Sequence, residues 1–273
     1  LGAAAGLASF PSVVRGGLYQ AVPSAAAGAA GGPGFGPLQP DPENILDLPK
    51  GFSYRIISMA GQKMKDGFIV PSLPDGMTAF PGPAGTTVIL RNHEFRFGHP
   101  DTLGPFGGKK RLWKKLDKAL IYDWTPDGTP CLGSVTTIVY DTKRKRTKSQ
   151  HLSLAGTMTN CSGGATPWGT WLSSEEVFEG PGKRCSGKHG YTFEVAVSAE
   201  PIVTAPLPLK AMGRFVKEGA AVDPRTGIVY QTEDQVDGLF YRFLPASPGR
   251  LAEGGRLQAL AVAGSPGLET SNW

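Results

Sequence analysis

From residue 45 onward the chain alternates short apolar or β-branched runs with clusters of Pro, Gly, Asp or Asn. FSYRII (52–57), TTVILRN (86–92), SVTTIVY (134–140), GTWLSS (169–174), YTFEVAV (191–197), GIVYQT (227–232) and LFYRFL (239–244) suit a pleated, half-buried surface and predict β-strands. Helical periodicity is weak. Its best stretch, KKRLWKKLDKAL at 109–120, reads equally as a charged loop. Residues 1–36 break the pattern: Ala and Gly dominate (SAAAGAAGGPGFG), too little apolar surface is available to pack, and the segment reads as signal remnant and linker. Within it, LGAAAGLASF reads as the tail of an export signal's apolar region. The folded part is expected to begin near Pro37.

Three stretches repeat one order of residues. EGAAVDPRTGIVYQTED (218–234) and NCSGGATPWGTWLSSEE (160–176) share a small-residue run, a Pro and Gly turn, an aromatic-bearing strand and a terminal acidic pair. DGMTAFPGPAGTTVILRNHE (75–94) keeps this order with a longer turn and ends in His93 and Glu94. The last acids, Glu94, Glu176 and Asp234, are spaced by 82 and then 58 residues. That is room for one four-stranded antiparallel sheet plus loops. The predicted fold class is therefore all-β, a β-propeller of four-stranded antiparallel blades over 37–273, with small-residue strands innermost and acids converging on the axis. A β-sandwich with coincidental hairpin similarity is the alternative. Closed propellers have about 4 to 8 blades, so three inner hairpins predict an incomplete ring.

A chain of 273 residues accommodates one large β unit, and 38 Gly with 24 Pro fit many tight turns. The net charge of +5 is mild. The basic stretches 109–118 and 143–148 contain a single tryptophan and no other aromatic, too few for base stacking, so nucleic acid is not an expected partner. No run approaches 18 apolar residues, so no membrane span is expected. Of Cys131, Cys161 and Cys185, one stays unpaired in any intramolecular scheme. Cys131 and Cys185 either pair in an oxidising compartment or stay buried thiols.

Glu175 with Glu176, Glu233 with Asp234, and Glu94 beside His93 supply hard oxygens of the kind calcium takes, and carboxylates that converge need cations to stay ionised. Any one pair alone would read as a solvated strand end; three at one repeat position favour a shared site. Cys161, among small residues, offers a soft thiolate that iron accepts, or is a buried free cysteine. His93, His99, His151 and His189 show no HxH or HExxH spacing, which leaves a conventional zinc site without support. His151, after the charged TKRKRTK, reads as exposed. No GxSxG, P-loop or GxGxxG occurs. Arg91, Arg214 and Arg242 flank the repeats, and arginine is the natural fork for phosphate oxygens, with blade-edge ion pairs as the alternative.

The blocks ILDLPKGFSYRIIS, PDGMTAFPGP, RNHE, TNCSGGATPWGTWLSSEE, GRFVKEGAAVDPRTGIVYQTED and GLFYRF, in this order over 37–243, resemble the PhoX-type alkaline phosphatase family. The resemblance implies a propeller with an axial cluster of Ca2+ and Fe3+ that hydrolyses small-molecule phosphate monoesters. It also implies twin-arginine export to the periplasm, cell surface or medium, and a monomer when complete. It makes Cys161 the iron-ligating cysteine and Glu218 the glutamate of the GRF block. Glu175 and Glu176 become metal ligands or their supports, beside Glu94, Glu233 and Asp234. Asn92 and Arg214 are the catalytic candidates. Two positions depart from the family pattern: Lys217 replaces a histidine and Ser174 a cysteine. An Arg-x-Glu element of a later blade is also missing before Trp273, so the chain is expected to be an N-terminal part. The rival functions are a calcium-dependent propeller hydrolase of the lactonase or phytase kind and a non-enzymatic exported binding scaffold.

Overall fold

The computed structural model describes residues 34–265; most of the expected signal remnant and linker, residues 1–33, lies outside the described residues. The chain divides between Arg55 and Ile56. In the first unit, β1 (Leu38–Gln39) pairs antiparallel with β2 (Leu48–Pro49). Asp41 fixes the intervening loop by accepting the amides of Glu43, Ile45 and Leu46 and the Tyr54 hydroxyl at 2.7 Å.

The second unit is built from three sheets laid down in chain order, every strand antiparallel to its neighbour. The first holds β3 (Pro74–Pro81), β4 (Thr86–His93), β5 (Gly133–Asp141) and β6 (Arg146–Thr157). The second holds β7 (Asn160–Ala165), β8 (Thr170–Glu175) and β9 (Thr192–Ala196). The third holds β10 (Lys217–Val222), β11 (Val229–Glu233), β12 (Phe240–Pro245) and β13 (Gly255–Ala259). The fold is all-β, and among the described residues no sheet closes on itself.

Period-2 alternation decides how the sheets stack, because successive side chains on a strand face opposite ways. On β8, Trp171 joins Phe193 and Val195 against Val88, Leu90, Val135 and Leu154 of the first sheet. Its neighbour Leu172 turns the other way, against Val229 and Phe243 of the third sheet with Met212 and Leu251. The middle sheet is thus buried on both faces. Truncating one of these large side chains to Ala costs about 3–5 kcal/mol. Irregular segments add a third core, in which Met64, Phe68, Val70, Phe106, Leu112 and Ile121 cover Leu152 and Ala155.

The first strands, β3, β7 and β10, lie side by side, which explains their small residues. A Cβ on Gly76 would stand 2.7 Å from the Cys161 carbonyl oxygen, and one on Gly164 only 1.9 Å from that of Ala220. Backbones this close leave no room for a side chain.

Two expectations fail, those for FSYRII and His151, and strand β6 was not foreseen. FSYRII is not a strand; its backbone finds no partner strand among the described residues. The 109–120 stretch forms only one turn, α1 (Lys110–Trp113), and a 3-10 turn at Lys118–Leu120, since Leu112 alone is buried on that turn. Strand β6, the longest, begins inside the basic stretch at 143–148, where charge masks the alternation. His151 is fully buried on that strand rather than exposed, opposite Thr137. No helix among the described residues is long and apolar enough to cross a membrane.

Candidate functional site

The three inner hairpins share one irregularity. Each begins with a paired couple, Pro74 with His93, Asn160 with Glu175, and Lys217 with Glu233. The next couples are Met77 with Arg91, Gly163 with Ser173, and Ala220 with Gln231. Two residues of the inner strand therefore oppose one of its partner, a β-bulge that re-aims a side chain. The re-aimed residues are Asp75, Cys161 and Glu218. One position past the opening couple on the second strand stand Glu94, Glu176 and Asp234. Their amides bond the carbonyls of Leu73 (2.9 Å), Thr159 (2.8 Å) and Val216 (3.0 Å) in the same way each time. Leu73 and Thr159 hold φ of 52° and 51°, a left-handed conformation that non-glycine residues take only under constraint.

These six positions meet. Candidate ligand atoms of Asp75, Glu94 and Cys161 lie within 4.8 Å of one another, as do those of Cys161, Glu176 and Glu218. Cys161 Sγ is 3.3 Å from Glu218 Oε2. Glu176 is hydrogen-bonded to Asp234 and Glu94. Arg96 is the cation that reaches the group among the described residues, through Nη2 to Glu94 Oε1 (2.8 Å) and Glu176 Oε2 (3.3 Å). One guanidinium cannot neutralise five carboxyls and a thiol, and several of these groups are pushed upward. Burial, then the bonds to Asp234 and Glu94, push Glu176 up to about 8. Burial likewise raises Asp75 and Glu218, and it raises the Cys161 thiol, whose bond to Glu218 adds to the effect.

Of the acids expected in the site, the structure brings in Glu94, Glu176, Glu218 and Asp234, with Cys161. It leaves out Glu175 and Glu233, because adjacent strand residues face opposite ways. Glu175 is fully buried and accepts from Met158 N, Gly190 N, Tyr191 N and His189 Nδ1 (2.7 Å). Glu233 accepts from Leu239 N and the Tyr241 hydroxyl. In each acidic pair only the second member joins the cluster.

Asn92 is fully buried and saturated. Its Nδ2 donates to the carbonyls of Cys161 (3.1 Å) and Ser162 (2.8 Å), while Oδ1 accepts from Trp171 Nε1 and Ser173 Oγ, both at 2.9 Å. It clamps the Cys161 bulge. Arg214 lies apart, donating to the carbonyls of His189 and Glu179 with its guanidinium over the Phe178 ring. Lys217 turns away from the cluster to Gln231 Oε1 (2.7 Å) and the Met212 carbonyl, and burial holds its amine down to about 7. Cys131 and Cys185 are free, buried thiols. Sequence reading missed Asp75 and Arg96 as site residues. Asp75 opens the third repeat copy, at the place Cys161 and Glu218 occupy in the others; Arg96 carries no such signal.

The family model described as alkaline phosphatase PhoX matches residues 33–111 and 137–273. The chain belongs to the PhoX family. Among solved structures, Pseudomonas fluorescens PhoX in complex with vanadate, a transition state analogue, is similar at 17% identity and a TM-score of 0.49, covering 78% of this chain and 52% of that one. The chain thus spans about half the length of that PhoX. A comparison with curated proteins found no match. The blocks that carried the expected PhoX resemblance all lie inside the matched ranges, and residues 112–136 fall between those ranges.

Proposed function

We propose that this chain carries the metal-ligand cluster of a phosphomonoesterase, with the three sheets as successive blades of a β-propeller and their bulged inner strands around its axis. The observation that supports this most is the convergence of Asp75, Cys161 and Glu218 with Glu94, Glu176 and Asp234 from three equivalent positions. The donor set fits the family's metals. Five carboxyls offer the hard oxygens calcium takes, Cys161 offers the thiolate that iron accepts, and bound cations would offset the convergence of so many acids. Bound cations would supply positive charge for a phosphoryl group and make a water more acidic.

The chain's own residues set the geometry. Asn92 fixes the bulge that aims Cys161, and the strained backbone at Leu73 and Thr159 fixes the turns that present Glu94 and Glu176. Arg96, paired with two cluster acids yet 65% exposed at its side chain, stands where an incoming phosphate would meet it and offers the fork that suits phosphate oxygens. Arg214, which the sequence made a candidate for that task, is occupied by two carbonyls.

The substrate in this reading is a small phosphate monoester, and the setting is the exported one that the PhoX resemblance implies, with a monomeric protein. The test is hydrolysis of p-nitrophenyl phosphate by the intact protein. Chelation should abolish it and calcium should restore it in part, while Cys161→Ala should lower it at least about a hundredfold with strand content unchanged. Full activity after exhaustive chelation would transfer the chain to the non-metal class. Activity on lactones or phytate alone, with calcium and no iron, would favour the calcium-hydrolase rival, and no activity with no bound metal the binding scaffold.

A further inference from the structure

The residues that directly follow Glu94 in the chain line a cavity of about 230 Å³. Phe95, Phe97, Leu132 and Met158 give it an apolar lining, and Arg96 stands at its junction with the cluster. The link is covalent and hydrogen-bonded. Glu94 precedes Phe95 and Arg96 in the chain, the Thr159 amide donates to the Phe95 carbonyl at 2.9 Å, and the Thr159 carbonyl accepts from Glu176 N. The two loops that present cluster acids therefore also build the cavity. His99 steadies the 95–99 loop, accepting from the Arg96 amide at 3.1 Å with its ring edge-on to Phe95.

Resting on the phosphatase reading, we infer that this cavity receives the alcohol half of the phosphomonoester and selects an uncharged planar ring there. The volume falls below the about 300–1,000 Å³ of pockets for drug-sized ligands, which suits a single ring system rather than a long chain. Phe97 is 53% exposed and offers ring surface for stacking, while the Arg184 guanidinium stands over the same ring at 5.8 Å from its centroid. A second anionic group is disfavoured. Arg96 is the residue assigned to the phosphate itself, Arg184 is already paired with Glu179, and Asp101 and Asp127 also line the wall. Part of this wall, including Thr125, Asp127 and Leu132, comes from residues 112–136, which lie between the two ranges that the PhoX family model matches. In the reaction, the ester P–O bond breaks, water adds its oxygen to phosphorus, and one water proton leaves with the released alcohol from this cavity.

The test compares benzyl phosphate with ethyl phosphate in the intact protein, since both release a primary alcohol and differ chiefly in the ring. The expected parent preference in kcat/KM is about tenfold for benzyl phosphate. Phe97→Ala should lower kcat/KM for benzyl phosphate by about fivefold, through KM, and so narrow its preference over ethyl phosphate, the scale of one lost aromatic contact. Leu132→Ala should act in the same direction. Equal use of the two esters by the parent, or a preference that neither substitution moves, overturns the inference while the phosphatase reading stands. Hydrolysis of neither ester overturns that reading and the inference with it.

Discussion

At the scale of single residues, the cluster turns proton affinity into a measurable property. The Glu176 carboxyl titrates ordinarily near 4.5 and is pushed up to about 8 by burial and by its bonds to Asp234 and Glu94. Between those values the metal-free folded chain keeps a proton that the unfolded chain has released. Raising the pH through this window therefore favours the unfolded state, by at most about 1.4 kcal/mol per pH unit for one proton. Denaturation of the metal-free protein should show stability falling from pH 5 to pH 8, with a flatter slope in Glu176→Gln. A rising slope, or an identical one in the variant, would remove Glu176 from the cluster. Cations that displace this proton should bind more weakly in acid. The same residue scale shows what sequence could not resolve. The pair Glu175–Glu176 names two equal candidates, and only the pleat separates a carboxylate that meets Cys161 from one that is tied to His189.

At the scale of elements, the repeat was readable because each copy must solve one problem, a strand tight enough to lie against its neighbours and then a bulge that aims a ligand. The alignment came out one residue off, since Cys161 rather than Asn160 matches Glu218, and the difference sits in the turn. Strands β4, β5, β8, β9, β11 and β12 were legible because one or both faces are apolar at period 2. Strand β6 was not, because its first turns are basic, nor was β13, whose Gly255 to Ala259 mixes small and charged residues. The inner-strand packing gives a direct check. Gly164→Ala places a Cβ inside the Ala220 carbonyl and should destabilise by more than about 3 kcal/mol, whereas Gly182→Ala, whose nearest neighbour is 3.8 Å away, should change stability by less than about 0.5 kcal/mol. Thermal or denaturant unfolding of the two variants reads this out. Similar values for both would mean that β7 and β10 are not in that contact.

At the scale of the whole molecule, three sheets bring a dense group of acids together, a convergence that a bound cation offsets in the function proposed above. Large apolar cores on both faces of the middle sheet supply the stability, while the cluster in metal-free form subtracts from it. The family was legible in the sequence through the ordered blocks, and the all-β class through the alternating runs. The site was legible only in part, since Asp75 needed the bulge register and Arg96 needed the folded loop to be seen. The measurement that bears most directly on the shared cluster is the metal content of the intact protein compared with Cys161→Ala and Glu233→Gln. Iron and calcium should be present in the parent, iron should be lost from Cys161→Ala, and Glu233→Gln should keep the parent's metals. Unchanged iron in Cys161→Ala, or a loss in Glu233→Gln as large as in Cys161→Ala, would contradict the assignment of the cluster.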